Sequence, residues 1–154
     1  MRRVLFVCTG NIFRSLTAEY ALRHVLGAQN DILVASAGTE DFAHVIHPYV
    51  RNYLLARGLD VSRHTRRTIT AQMLQEPGPV IAMSMEHRLF LAERFSLLDV
   101  PLFTEACGIV GEPLPDVDQA VNDHKTNPIA VATHVRMIID RIIELTPLLA
   151  HRLV

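Results

Sequence analysis

The chain of 154 residues is 49% hydrophobic and 20% charged, proportions that fit one globular domain with a sizeable core and exclude a disordered tail. Its 15 basic and 16 acidic residues leave a formal net charge of -1, so no overall basic field points to nucleic acid or to a membrane surface as partner. Two cysteines, Cys8 and Cys107, are too few for a disulfide scaffold, and a reducing, cytoplasmic setting is expected.

Val4 to Val7 is a short apolar run that ends at a glycine-containing turn, which reads as a buried strand and is too short for a signal peptide or a spanning helix. From Ser15 to Leu26 apolar residues recur at helical spacing, with Gly27 as the stop. Ile32 to Ala35 repeats the strand pattern and Ser36-Ala37-Gly38-Thr39 ends it. A second helix starts near Pro48 and closes at Gly58. Thr70 can cap a short helix through Leu74 before Pro77-Gly78-Pro79 breaks the chain. Val80 to Met83 reads as a third strand, Glu86 to Phe95 as a helix, and Val100 to Phe103 as a fourth strand. A proline-rich stretch from Glu112 to Val117 precedes a long amphipathic helix over about Pro128 to Leu149.

Strands that alternate with helices imply crossover units. The expected fold is a single α/β domain over 1–154, with a four-stranded parallel sheet and helices on both faces, of flavodoxin-like type. Ligands in such sheets sit beyond the carboxyl ends of strands, where strand order reverses. The turn after the first strand is therefore the place to look.

That turn reads Cys8-Thr9-Gly10-Asn11-Ile12-Phe13-Arg14-Ser15. Its backbone N–H groups would converge on one centre, the following helix adds its positive end, and Gly10 and Asn11 can take positive φ. A cysteine at the floor of such an anion cradle is expected as a thiolate. Arg14 can fork onto two oxygens of a tetrahedral anion, and Ser15 can donate to the sulfur. Thr9, Gly10, Asn11, Ile12 and Phe13 complete the binding loop. A bare Cys-x5-Arg spacing carries little weight in a chain whose basic residues include only one lysine, Lys125; its placement between a strand and a helix carries more.

Together with Ala18-Glu19, this segment resembles the signature of low-molecular-weight protein tyrosine phosphatases. Ser36-Ala37-Gly38-Thr39, the stretch from Arg57 to Arg67, Ala82-Met83 and Leu114-Pro115-Asp116 follow in that family's order and at about its spacing. The resemblance implies that Cys8 is the nucleophile, Arg14 the clamp and Asp116 the general acid. It also implies that Asn11, Ser15, Ser36 and His64 form a network supporting the loop. The implied reaction is hydrolysis of a phosphomonoester, foremost protein phosphotyrosine, through a phosphocysteine, with no metal or other cofactor. The implied partner is a phosphorylated protein or a small phosphomonoester, and the oligomeric state stays open. Asp118 shares the acid loop, but Pro115 before Asp116 matches the pattern.

Several positions depart from the family. Phe13 stands where a second cysteine is frequent, Leu16 replaces a proline, and Ser84 replaces an acidic residue. Val117 replaces the proline after the acid, which is expected to loosen the loop. A tyrosine pair after the acid loop is missing, leaving Ile12 and Phe42 as candidate apolar walls. His44 and His47 lack the spacing of a metal site. Arg63, Arg66 and Arg67 read as a solvated basic face. Three other readings stand beside the phosphatase: a phosphoprotein-binding module with decayed catalysis, a phosphocarrier, and an arsenate reductase, for which only Cys107 is available as a further cysteine. A phosphoarginine phosphatase is expected to carry threonine at the place of Ile12.

Overall fold

The computed structural model describes residues 2–41 and 44–154. In chain order its elements are β1 (Arg2–Cys8), α1 (Arg14–Leu26), β2 (Ile32–Gly38), α2 (Pro48–Leu55), α3 (Ala71–Gln75), β3 (Val80–Ala82), α4 (Met85–Phe95), α5 (Phe103–Ala106), α6 (Val117–Ala120) and α7 (Pro128–Leu153). The three strands pair in parallel in the order β2-β1-β3. Strand order therefore reverses at β1, and its carboxyl end, Cys8, lies at the switch point where α/β sheets bind ligands.

Alternation along β1 explains why both faces are covered. Val4, Phe6 and Cys8 point into one buried cluster with Ala18 and Leu22 of α1 and Ile138, Ile142 and Leu145 of α7. Leu5 and Val7 point the other way, into a cluster with Ile69, Leu91 of α4 and Val100. A side-chain period of two with both sets apolar demands a layer of packing on each side of the sheet. A third cluster joins α1, α2 and α7 through Leu16, Leu54 and Ile139. Among the described residues, no helix is long and apolar enough to cross a membrane.

The expected fourth strand does not form. Val100 to Phe103 contributes a single bridge, Ala82 to Leu102, after which the chain turns into α5. The reason is local: Pro101 faces β3, accepting from the Ala82 N–H at 3.0 Å, but has no N–H to give to a ladder, and after Leu102 the chain turns into α5. The sheet thus has three strands rather than four. The proline-rich stretch also ends in a short helix, α6, that its composition does not announce.

Candidate active site

The loop from Cys8 to Arg14 is held from three sides. From behind, Gly38 lets β2 approach: a Cβ there would lie 2.6 Å from the Thr9 carbonyl oxygen. The Thr39 and Glu40 N–H groups donate to the carbonyls of Cys8 and Thr9 at 2.9 and 3.1 Å. From the side, Arg66 donates to the Gly10 carbonyl at 2.9 Å and to the Glu40 carbonyl at 2.6 Å. Arg66 is thus a strut of the loop rather than part of a solvated face.

Asn11 organises the interior. It is fully buried and takes left-handed backbone (φ 56°), the conformation that asparagine tolerates best among non-glycine residues. Gly10 does not need positive φ. The Asn11 amide nitrogen donates to Ser15 Oγ at 3.0 Å and Ser36 Oγ at 2.7 Å. Its Oδ1 accepts from the Arg67 N–H at 3.1 Å and from His64 Nε2 at 3.2 Å. His64 Nε2 also donates to the Asn11 carbonyl at 3.0 Å. With both partners acceptors, that nitrogen carries the proton, and burial keeps the ring below its ordinary range for taking up a second one. Ser36 passes its own hydroxyl to Glu19, a buried carboxyl whose pKa burial raises and which pairs with Arg23 at 2.5 Å. Glu19 extends the network by one member beyond the four drawn from the sequence.

Ser15 brings this network to the sulfur, its Oγ lying 2.9 Å from Cys8 Sγ. Cys8, Thr9, Gly10, Ile12, Phe13 and Arg14 face a cavity of about 860 Å³ that Asp116, Val117 and Asp118 border on the far side. Phe13 also packs against two of the core clusters. Phe42, the other candidate wall, lies outside the described residues.

Arg14 is buried and Asp116 reaches it: Arg14 Nη2 to Asp116 Oδ2 is 2.9 Å. Arg14 Nη1 donates to the Leu114 carbonyl at 3.2 Å, tying the acid loop to the clamp through its backbone as well. Asp116 Oδ1 accepts from the Val117 N–H at 2.8 Å. A proline at 117 could not make that bond, so its replacement fixes the acid at this point rather than loosening it. His134 Nε2 donates to the Pro115 carbonyl at 2.9 Å, and Arg141 grips Glu112 at 2.7 Å, so α7 anchors the loop from outside.

A sequence profile of the low molecular weight phosphotyrosine protein phosphatases matches residues 3–97. The chain belongs to that family. It is 35% identical over 80 residues to an arsenate reductase of Halalkalibacterium halodurans, covering 52% of this chain and 55% of that protein. It is 33% identical over 85 residues to the low molecular weight protein-tyrosine-phosphatase Etp of Escherichia coli K12, covering 54% and 55%. The chain thus spans about half the length of the curated relatives it matches. The fold is shared with the YwlE arginine phosphatase from Geobacillus stearothermophilus at a TM-score of 0.81 and 21% identity, over 99% of this chain and 93% of that one.

In this member of the family the structure brings Cys8, Arg14, Asp116 and the four supporting residues together, although Asp116 is 102 positions from Arg14. Sequence reading missed Glu19, Arg66 and His134. Only Glu19 carried a signal, its place beside the loop motif; the others act through contacts between distant elements that no local pattern marks.

Proposed function

We propose that this chain hydrolyses phosphomonoesters, aryl phosphates such as phosphotyrosine foremost, through a phosphocysteine on Cys8. The observation that carries this reading is the reach of Asp116 to Arg14 over the mouth of a thiol-floored loop. Nucleophile, clamp and acid then share one cavity.

The chemistry follows from the positions. A phosphate on the loop would take Arg14 Nη2 from Asp116, leaving the carboxyl facing the leaving oxygen. The Cys8 thiolate attacks phosphorus as the P–O bond to the leaving group breaks, and protonated Asp116 gives that oxygen its proton. Water then attacks the phosphocysteine, Asp116 takes the water's proton, and the P–S bond breaks to return the thiolate. Loop N–H groups and Arg14 hold the equatorial oxygens throughout. Ser15 donates to the sulfur as it leaves. Ile12 presents a branched apolar wall to the cavity, which suits an aryl leaving group better than a charged guanidinium one.

Arsenate reduction finds less support. It would need further thiols to carry electrons, and Cys107 is buried with its thiol pushed up to about 11 by that burial. Turnover of p-nitrophenyl phosphate in the presence of a chelator tests the proposal. Wild type is expected to be active and Cys8→Ser inactive; equal rates in the two proteins would remove the enzymatic reading and leave a phosphoprotein-binding module.

A further inference from the structure

Beside Arg14 lies a closed ring of hydrogen bonds that involves no buried carboxylate. Arg14 Nη1 donates to Ser84 Oγ at 3.4 Å, and Ser84 Oγ donates to His87 Nδ1 at 3.0 Å. His87 Nε2 lies 2.9 Å from Thr9 Oγ1, which also accepts from Arg14 Nη2 at 3.5 Å. The proton positions are forced. His87 Nδ1 accepts a second bond from the Ser84 N–H at 3.1 Å, so it holds the lone pair and Nε2 holds the hydrogen. Thr9 then has both lone pairs engaged, and its own hydrogen points to Glu86 Oε1 at 3.3 Å.

We infer that His87 is a positioning residue for the anion clamp, its two ring nitrogens fixing Ser84 and Thr9 so that each terminal nitrogen of Arg14 has a preset neutral acceptor. This rests on the phosphatase reading of the site. His87 is 1% exposed, and burial together with the charge of Arg14 pushes it down to about 3, while its Nε2 also lies 3.2 Å from Glu86 Oε1. The Ser84–His87–Thr9 ring orients the guanidinium without a charge of its own. The carboxylates that do reach Arg14, Asp116 at 2.9 Å and Glu86 at 3.6 Å, belong to side chains 31% and 44% exposed. Asp116 borders the cavity, where an incoming phosphate can replace it. The ring therefore leaves the clamp's charge available to the substrate.

The test uses vanadate as the probe, with p-nitrophenyl phosphate kinetics and the rate of Cys8 alkylation by neutral iodoacetamide. His87→Phe keeps an aromatic ring and removes both bonds; Thr9→Val opens the ring on the opposite side. Each is expected to raise the vanadate inhibition constant and KM at least about tenfold, while alkylation of Cys8, supported separately by Ser15 and Asn11, stays within about twofold. The double variant is expected to be no worse than the poorer single one, because a ring opens only once. Unchanged vanadate inhibition in His87→Phe, or multiplicative losses in the double variant, would overturn the inference. If His87→Phe fails to fold, Thr9→Val decides: unchanged inhibition there overturns it too. A wild type that neither turns over substrate nor binds vanadate would instead overturn the phosphatase reading itself.

Discussion

Asp116 Oδ2 sits 2.9 Å from Arg14 Nη2, so the candidate acid occupies, in the absence of an anion, a donor that a phosphate would use. Binding and proton transfer are coupled through this pair. Asp116→Asn weakens the competition and removes the proton donor at once. It is expected to tighten inhibition by vanadate by a few-fold, while slowing turnover of phenyl phosphate by about 10²–10⁴ and that of p-nitrophenyl phosphate less. Asp118→Asn is expected to do neither. A larger loss in Asp118→Asn would show that the assignment of the acid is wrong.

The approach of β2 to the loop depends on Gly38, where a Cβ would meet the Thr9 carbonyl at 2.6 Å. Backbone cannot yield as a flexible side chain would, so the loop itself must move. Gly38→Ala is expected to cost about 1–3 kcal/mol in denaturant unfolding and to lower kcat/KM more than that loss of folded population explains. Wild-type kinetics in this variant would mean that the cradle tolerates displacement.

Protonation of the buried imidazoles predicts an acid limb in stability. His87 is pushed down to about 3 from an ordinary 6.5, and burial also lowers His64. The unfolded chain takes up protons below about pH 6.5 that the folded one refuses. Stability is therefore complete above that value and falls as pH drops through it, by up to about 1.4 kcal/mol per pH unit for His87, with His64 acting in the same direction. Glu19, raised by burial, binds its proton more readily when folded and offsets part of the loss toward pH 4.5. Thermal melts between pH 7.5 and 5 check this, and His87→Phe is expected to flatten the slope. An unchanged slope would mean that His87 is protonated in the folded state.

The cavity beyond the loop continues between Tyr49 and Val50 of α2 and Val131, Ala132 and Val135 of α7. At about 860 Å³ it is of the size that holds a whole small ligand. Ala132→Trp narrows this end. We expect it to raise KM for naphthyl phosphate about tenfold or more and to leave phenyl phosphate within about twofold. Equal effects on both substrates would place the leaving group elsewhere.

Phe13 offers no sulfur beside Cys8, and Cys107, buried and pushed up to about 11, is a poor source of thiolate. Strong peroxide treatment is expected to carry Cys8 to the sulfinic acid, seen by mass spectrometry as two added oxygens, with little recovery in dithiothreitol. Cys107→Ser is expected to behave as wild type. Full thiol recovery that disappears in Cys107→Ser would identify Cys107 as the resolving partner.

Local information sufficed for part of this molecule. Apolar runs and helical periods marked β1, β2, β3 and the larger helices, because each must bury a face regardless of its neighbours. The Cys8 to Ser15 loop was legible because its residues are consecutive and their chemistry depends on the strand and helix that flank them. Tertiary structure decided what depends on distance. Val100 to Phe103 looks like a strand by composition, yet Pro101 has no N–H to give to β3 and the chain turns into α5 after a single bridge. The contacts of His87 with Ser84 and Thr9, that of Ser84 with Arg14, and the reach of Asp116 to Arg14 arise where α4 and the acid loop meet the Cys8–Arg14 loop. Hydrogen-bond partners are chosen by three-dimensional proximity, and proximity between residues 70 or 102 positions apart is a property of the assembled core rather than of any stretch of chain.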